Sequence, residues 1–355
     1  MSQSGKISRL DSYRALSGKD KRRWWGTFLV NNALYIILIA LVIYVTIQKP
    51  EFISTRSFVD IIKRSAASLI MALGVGGIIV LTGTDLSAGR NLGLMACIAA
   101  ALLQKSDYAT KMFPDMQPWP MFAVILLVMV LGAVVGIVNG FFVHKFSLHP
   151  FIVTLGTQMI LYGSVLIFTN SGNNGGQPIS GLSASYSNFV KGNLFKIGGV
   201  GIPNYVWFAI IFAVIMWIMW NKTTLGKNMY AVGANPEAAN VSGVNVGLTI
   251  ILIFTIAGAL YGFSGFVEAA RIGSNTASTG VNYELDAIAA CVIGGVSFTG
   301  GVGKISGIIT GVILLQIIKV ALQWLSISTN LQYIITGVII LVAVALDMQK
   351  YLSKK

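Results

Sequence analysis

The sequence predicts an all-α polytopic membrane protein with about ten transmembrane helices, some of them short or broken. Charged residues make up only 10% of the 355-residue chain, whereas a soluble domain carries about 25%. Hydrophobic residues make up 55%, and the mean hydropathy is +0.76, values typical of an integral membrane protein. The 39 glycines suit membrane helices that approach each other closely.

Apolar runs of bilayer length locate the spans, because a helical span needs roughly 20 mainly apolar residues. The first run, Trp24–Gln48, carries no charge and is too long for the core of a signal peptide, so we interpret it as a retained span. Two pairs of segments are short or joined by Gly-rich links, and either member of each pair could be a re-entrant or broken helix. The ten predicted spans are 27–48, 65–82, 88–104, 121–143, 150–169, 204–221, 248–267, 284–300, 303–323 and 331–347.

The distribution of basic residues predicts the orientation. Seven Lys or Arg residues precede Trp24, and Lys350, Lys354 and Lys355 close the chain. An even number of spans places both termini on one side, and the positive-inside rule makes that side the cytoplasm. The predicted organisation is a basic cytoplasmic tail (1–26), a transmembrane domain (27–347) and a basic cytoplasmic C-terminus (348–355), with a cytoplasmic loop at 222–247 and an external loop at 170–203. Basic terminal segments beside apolar spans account for the net charge of +13, so no nucleic-acid partner is expected.

A weak internal similarity predicts inverted repeats. The segment 69–83 resembles 285–301, which pairs Gly76 and Gly77 with Gly294 and Gly295. Two halves of five spans, related as inverted copies, would fit a common transporter plan. Chance similarity between two Gly-rich helices is the alternative.

The sequence contains no convincing catalytic or metal-binding set. His144 and His149 flank a short bend without further ligands nearby, which favours a structural role. The stretch "GGVGKIS" (300–306) fails as a Walker A motif, because Phe298 and Ile305 stand where Gly and Ser or Thr are needed. We therefore expect no ATP hydrolysis, metal or cofactor in this chain, and we expect Cys97 and Cys291 to be free thiols.

Two polar regions are candidates for the transport pathway. In "TGTDLSAGRNLG" (82–93), Asp85 either caps the next helix in an interfacial turn, with Arg90 as a membrane anchor, or lines a polar route. In 267–303, Glu268 can pair with Arg271, Glu284 and Asp286 suit a helix start, and Phe298 either plugs a gate or packs. The predicted pathway and gate residues are Gly76, Gly77, Asp85, Ser87, Gly89, Gly294, Gly295, Phe298 and Gly300.

A short polar helix is predicted within the loop 222–247. Asn235 suits the N-cap, Pro236 the first helical position and Glu237 the first turn, while Gly243 suits a left-handed end. About seven residues span roughly 10 Å, and so short a helix is not stable alone in water. It serves either as a docking element for another protein or as a plain connecting helix.

These motifs resemble those of sugar-importing ABC permeases along nearly the whole chain. The matching stretches are "GANPEAANVSGVNV" (233–246), "TDLSAGR" (84–90), "VNG" (138–140), "HPFIVTLGT" (149–157) and "NYELDAIAACVIGGVSFTGGVG" (282–303). Arg90 and the "YELDAIAACV" run favour the galactose/methyl-galactoside branch of the family over the ribose branch.

The resemblance implies a homodimer of ten-helix subunits in the bacterial inner membrane. It further implies a cytoplasmic ATPase that holds ATP and Mg, a periplasmic sugar-binding protein, and a sugar path along the dimer axis. The coupling helix that contacts the ATPase would comprise Gly233, Ala234, Asn235, Pro236, Glu237, Ala238, Ala239, Ser242 and Gly243. An ion-coupled transporter would instead need buried carboxylates, for which only Asp85 and Glu268 are candidates, and a passive channel would not need the capped cytoplasmic helix.

Overall fold

The computed structural model describes residues 36–352, and this part of the chain is largely helical. The basic tail 1–26, the predicted helical residues 27–35 and residues 353–355 lie outside the described range. One short hairpin, β1 (Asn193–Ile197) and β2 (Val200–Pro203), pairs antiparallel. The helices are α1 (Ile36–Gln48), α2 (Thr55–Val80), α3 (Ala88–Leu102), α4 (Met121–Lys145), α5 (Pro150–Asn170), α6 (Ala184–Lys191), α7 (Tyr205–Lys222), α8 (Thr224–Ala234), α9 (Pro236–Val241), α10 (Val246–Ile272), α11 (Tyr283–Ile293), α12 (Ile305–Trp324) and α13 (Thr329–Leu352).

Within residues 36–352, each of the ten predicted spans coincides with a helix, and the largest boundary errors are in the second and the eighth. The second span begins at Thr55 rather than 65, where the Ser54 hydroxyl accepts a hydrogen bond from the Ser57 amide. The eighth ends at Ile293 rather than 300, because Gly295 takes a φ of +82° and turns the chain out of the helix. Between residues 36 and 352, six helices are long and apolar enough to cross a membrane: α2, α4, α5, α7, α10 and α12.

The bundle has two distinct ends. At the hairpin end, the β1–β2 turn lies against Thr55 at the start of α2, and Ile179 pairs with Asn275 just after α10. At the α9 end, the amide of Gly301 donates to the carbonyl of Val80 over 2.9 Å, where α2 finishes. The helix α1 ends, and α13 begins, close to the hairpin end.

Two short helices are each preceded by a non-helical segment, made largely of turns, that enters the bundle. The helices α3 and α11 have 15 and 11 residues, about 22 and 16 Å, so neither spans a hydrocarbon core of about 30 Å. Residues 81–87 lead into α3 from the α9 end, whereas residues 273–282 lead into α11 from the hairpin end. Entry from opposite ends is the relation that inverted halves predict.

The predicted repeat pairs 69–83 with 285–301, but these segments belong to helices at different positions in the two halves. Gly76 and Gly77 lie within α2, whereas Gly294 is the C-cap of α11. Two halves of five spans would pair α2 with α10 and α3 with α11. The bend before α3 contains a non-glycine residue with a positive φ, Thr82 at +61°.

Glycines bring α4 and α10 into backbone contact. A Cβ at Gly136 would lie 2.1 Å from the carbonyl oxygen of Phe254, and one at Gly258 would lie 2.1 Å from that of Gly132. Real Cβ atoms essentially never approach so closely, so a larger residue at either position forces the helices apart. The spacing of four residues along α4 is the small-residue pattern that packs membrane helices.

The helices α11 and α12 meet in the same way. A Cβ at Gly294 would lie 2.2 Å from the carbonyl oxygen of Gly307, and one at Gly311 would lie 1.9 Å from that of Ala290. The short helix α11 is therefore held directly on the backbone of a long helix.

We expect Gly136→Ala to lower the thermal stability of the purified protein in detergent. The added methyl group meets a backbone carbonyl that cannot rotate away, and overpacking of this kind costs about 1–3 kcal/mol. The matched control is Gly163→Ala on α5, where a Cβ would meet nothing within 4 Å. Equal melting temperatures for the two variants would contradict the packing argument.

Candidate functional site: a polar cavity and the α8–α9 platform

A polar cavity of about 230 Å³ lies toward the hairpin end of the bundle. It is bounded by residues of α2, α3, α10, α11, α12 and α13, so residues far apart in sequence contribute to one site. Amide and hydroxyl side chains make up much of the lining, including Ser68, Asn282, Gln316, Gln332, Tyr333 and Thr336.

Ion pairs account for the charged residues of the cavity lining. Arg271 binds Glu268 through two nitrogens, each 2.6 Å from a carboxylate oxygen, and the Tyr283 hydroxyl donates to the same carboxylate over 2.8 Å. The Lys319 ammonium group donates to Asp286 over 2.5 Å and so joins α12 to α11. Arg64, the remaining charged lining residue, pairs with Asp60 at 2.8 Å.

Amide groups are also held in place. Gln316 is buried, and its Nε2 donates to the Ser68 hydroxyl on α2 over 3.1 Å. Gln332 Nε2 donates to the carbonyl of Ile327 over 2.8 Å. Because these contacts use only part of each amide's hydrogen-bonding capacity, both side chains keep donors and acceptors for a ligand.

None of the nine predicted pathway residues lines this cavity. Gly76 packs against Ile308 of α12, and Gly77 faces Ile253 of α10, so both lie in helix contacts. Gly89 meets the Glu284 carboxylate and lets residues 280–284 pack on α3. The sequence predicted Glu268 as the partner of Arg271 and Asp286 as a residue of a helix start, and both also line the cavity. Gln316 and Lys319 were missed, although a lysine and a glutamine inside an apolar span are themselves an indication of function.

Asp85 is part of a buried hydrogen-bond network. Its Oδ1 accepts from the Ser87 amide over 2.9 Å and from the Ser87 hydroxyl over 2.6 Å. Asn139 of α4 donates to that hydroxyl, and Thr157 of α5 donates to Asn139. Asp85 thus holds the turn before α3 but does not cap that helix, whose N-cap is Ser87 without a side-chain capping hydrogen bond, and the turn is buried rather than interfacial.

Arg90 is not the membrane anchor that the capping alternative proposed. Its guanidinium group lies over the Tyr162 ring, 4.2 Å from the centroid, and donates to the carbonyl of Ala277 over 3.0 Å. The side chain therefore fastens α5 and the segment before α11 to α3.

The predicted short helix exists as α9, one residue shorter than expected. Asn235 Oδ1 accepts from the Ala238 amide over 2.9 Å, which confirms the N-cap, and Gly243 takes a φ of +84°. Gly233 and Ala234 belong to the preceding helix α8, so the segment Gly233–Gly243 is two helices joined at Asn235 rather than one. The last residue of α9, Val241, is 89% exposed.

Close backbone contact joins α8 to the loop after α11. A Cβ at Gly233 would lie 1.9 Å from the carbonyl oxygen of Val80, and one at Gly300 would lie 2.2 Å from that of Gly233. Gly300 and Gly301 both take positive φ values, which the close approach requires. Phe298, on the same loop, is half-buried and packs against the core, as the packing alternative predicted.

The histidines and cysteines have structural environments. His149 caps α5 by accepting a hydrogen bond from the Phe151 amide, and His144 lies against Gly247. Cys97 and Cys291 are free and buried, as predicted. Within residues 36–352, no group of three or more His, Cys, Asp or Glu residues is placed to hold a metal ion.

The apolar bundle, the internal polar cavity and the exposed short helix define a polytopic membrane transport protein. The chain belongs to the family described as branched-chain amino acid transport system / permease component, whose family model matches residues 57–344.

Curated relatives narrow the comparison. The chain is 46% identical to the galactose/methyl galactoside import permease protein MglC of Escherichia coli K12, over 93% of this chain and 97% of that protein. The corresponding protein of Haemophilus influenzae is also 46% identical, over 92% of this chain and 96% of its own length. The ribose import permease protein RbsC of Escherichia coli K12 is 32% identical, over 93% and 97%. The predicted branch of the family is confirmed, and no solved structure matches the chain.

We expect Glu268→Gln to lower the melting temperature in detergent by roughly three times as much as Asp60→Asn. Removal of one partner from a buried pair leaves the other charge poorly compensated, whereas exposed pairs contribute little. The Glu268 side chain is only 4% exposed, against 43% for Asp60. Similar shifts for the two variants would show that the buried network does not stabilise the fold.

Proposed function

We propose that this chain is the membrane-spanning subunit of an ATP-driven importer that moves a monosaccharide into the bacterial cytoplasm by alternating access. Galactose or methyl galactoside is the favoured substrate, because relatives named for these sugars are more similar to the chain than those named for ribose. Ribose is the runner-up. The chain itself supplies no ATP hydrolysis, which belongs with ATP and Mg to a partner ATPase.

The proposed orientation places the α9 end in the cytoplasm of a bacterial inner membrane. The helix α1 runs toward the hairpin end and α13 runs away from it, and the positive-inside rule assigns the basic residues that precede α1 and follow α13 in the sequence to the cytoplasmic side. The hairpin end, with its polar cavity, then faces the periplasm, where a sugar-binding protein would dock. A second copy of the chain would complete the membrane-spanning part of the importer.

The helix α9 is proposed as the contact for the ATPase. It is too short to be stable alone, is anchored through the buried side chain of Ala239, and presents Val241 and Glu237 outward. An exposed valine with so little contact inside the chain suits a groove on a partner protein.

One observation carries the proposed mechanism, namely the connection between α9 and the cavity. The helix α8 contacts residues 300–301 backbone to backbone, and these follow α11, whose other end places Tyr283 and Asp286 in the cavity. A displacement of α9 by the ATPase would therefore shift α11, and with it one wall of the cavity. Closely packed contacts transmit such displacements because there is no empty space between the atoms to absorb them.

We expect Val241→Asp to abolish ATPase-driven sugar uptake in proteoliposomes and to weaken co-purification of the ATPase. The substitution removes apolar contact area from the partner interface, while the 89% exposure of Val241 means that folding of the chain should be unaffected. The measurements are uptake, ATPase co-purification and melting temperature.

Leu194→Asp is the matched control. Leu194 is 71% exposed but lies on the hairpin, at the opposite end of the bundle, so its replacement should leave ATPase binding unchanged. Normal uptake by Val241→Asp would refute the docking role of α9. Sugar accumulation by the chain alone, driven by a proton gradient, would favour an ion-coupled transporter instead.

A further inference from the structure

We propose that the cavity at the hairpin end binds a neutral, polyhydroxylated solute, with Gln316 and the Asp286–Lys319 pair as specificity-determining residues. This inference rests on the proposed function for its physiological setting. It names a binding site within a single subunit and the chemical class of its ligand.

Because the charged side chains of the lining are already paired with one another or with a neighbour, the cavity favours a neutral ligand over a charged one. An amino acid carries both an ammonium and a carboxylate group, and burying each requires a free counter-charge. Here Glu268 is occupied by Arg271, Asp286 by Lys319, and Arg64 by Asp60, with separations of 2.5 to 2.8 Å. The described lining residues therefore offer no uncommitted charge of either sign, although the family description names amino acids.

The neutral polar groups suit hydroxyl ligands. Gln316 and Gln332 come from different helices, and each keeps part of its amide free, so both can donate to and accept from hydroxyl groups. A site built to hydrogen-bond hydroxyls rejects analogues that lack them, because its own polar groups are then left unpaired. Tyr333 adds an aromatic ring at the lining.

The size of the cavity limits the ligand. At about 230 Å³ it is smaller than the 300–1,000 Å³ that drug-sized ligands occupy, which suits a single sugar ring. Asp286 lies on α11, the helix connected to α8, so that movement of α11 would change the contacts of a bound solute.

The test is solute protection of an introduced cysteine in the full-length chain, reconstituted in lipid. Thr329→Cys, at a lining position that the proposal does not use as a ligand contact, is labelled with an uncharged maleimide in the presence of galactose, leucine or neither. Labelling of the two native thiols should be low because both are fully buried, and the unsubstituted chain measures this background. We expect galactose to slow labelling at least severalfold, whereas leucine leaves the rate unchanged.

Two control variants locate the effect. Asn193→Cys, on the exposed strand β1, should be labelled at the same rate with or without galactose. In the Thr329→Cys background, Gln316→Leu should remove the protection, whereas the matched change Gln177→Leu, at an exposed position outside the cavity, should preserve it. Protection by leucine, or equal labelling with and without galactose, would overturn the assignment.

The ion pair provides a second, independent measurement. Asp286→Asn leaves Lys319 uncompensated and should abolish protection by galactose, whereas Asp286→Asn combined with Lys319→Gln restores a neutral lining and should restore protection. Full protection in Asp286→Asn alone would show that neutrality does not matter.

Transport is measured separately, as ATP-driven galactose uptake by the unsubstituted chain with its ATPase and binding protein. Protection without uptake would refute the proposed function and leave the site standing. Uptake without protection would refute the site and leave the proposed function standing.

Discussion

Backbone-to-backbone contact between α4 and α10 is the constraint on which the other helices depend. Because Gly132, Gly136 and Gly258 have no side chains, the two helices meet at their carbonyl groups. The carbonyl of Gly132 also accepts a hydrogen bond from Asn91 of α3, so the same contact fixes the short helix that follows the buried turn. The long helix α10 thereby becomes the central element against which α2, α3 and α4 pack.

Glycine-mediated backbone contacts of the same kind also join the helices that are proposed to move during transport. The helices α11 and α12 meet through Gly294 and Gly307, and α8 meets the loop after α11 through Gly233 and Gly300. A glycine contact holds two backbones at a fixed separation, because there is no rotamer to adjust between them. The α9 end and the polar cavity are consequently connected through main chain, with α11 as the connecting element.

Local patterns predicted much of the fold, whereas long-range contacts hid the cavity. Hydropathy located every span, and residue preference located the Asn235 cap and the Glu268–Arg271 pair, since each depends on neighbours within four residues. The start of α2 was missed because Arg56, Asp60, Lys63 and Arg64 make that stretch too polar for a hydropathy window. The cavity needs side chains from six helices, and a glycine such as Gly76 gives no sequence signal of the helix it faces.

The shortness of α11 changes the barrier that a hydrophilic solute meets. A polar solute crossing about 30 Å of hydrocarbon would lose its hydrogen bonds to water over that whole distance. Where the turns of residues 273–282 replace the first part of a helix, their polar groups would lie below the level of a surrounding lipid surface. The low-dielectric layer beside α11 is then closer to the 16 Å length of that helix, and the desolvated part of the path is reduced by nearly half.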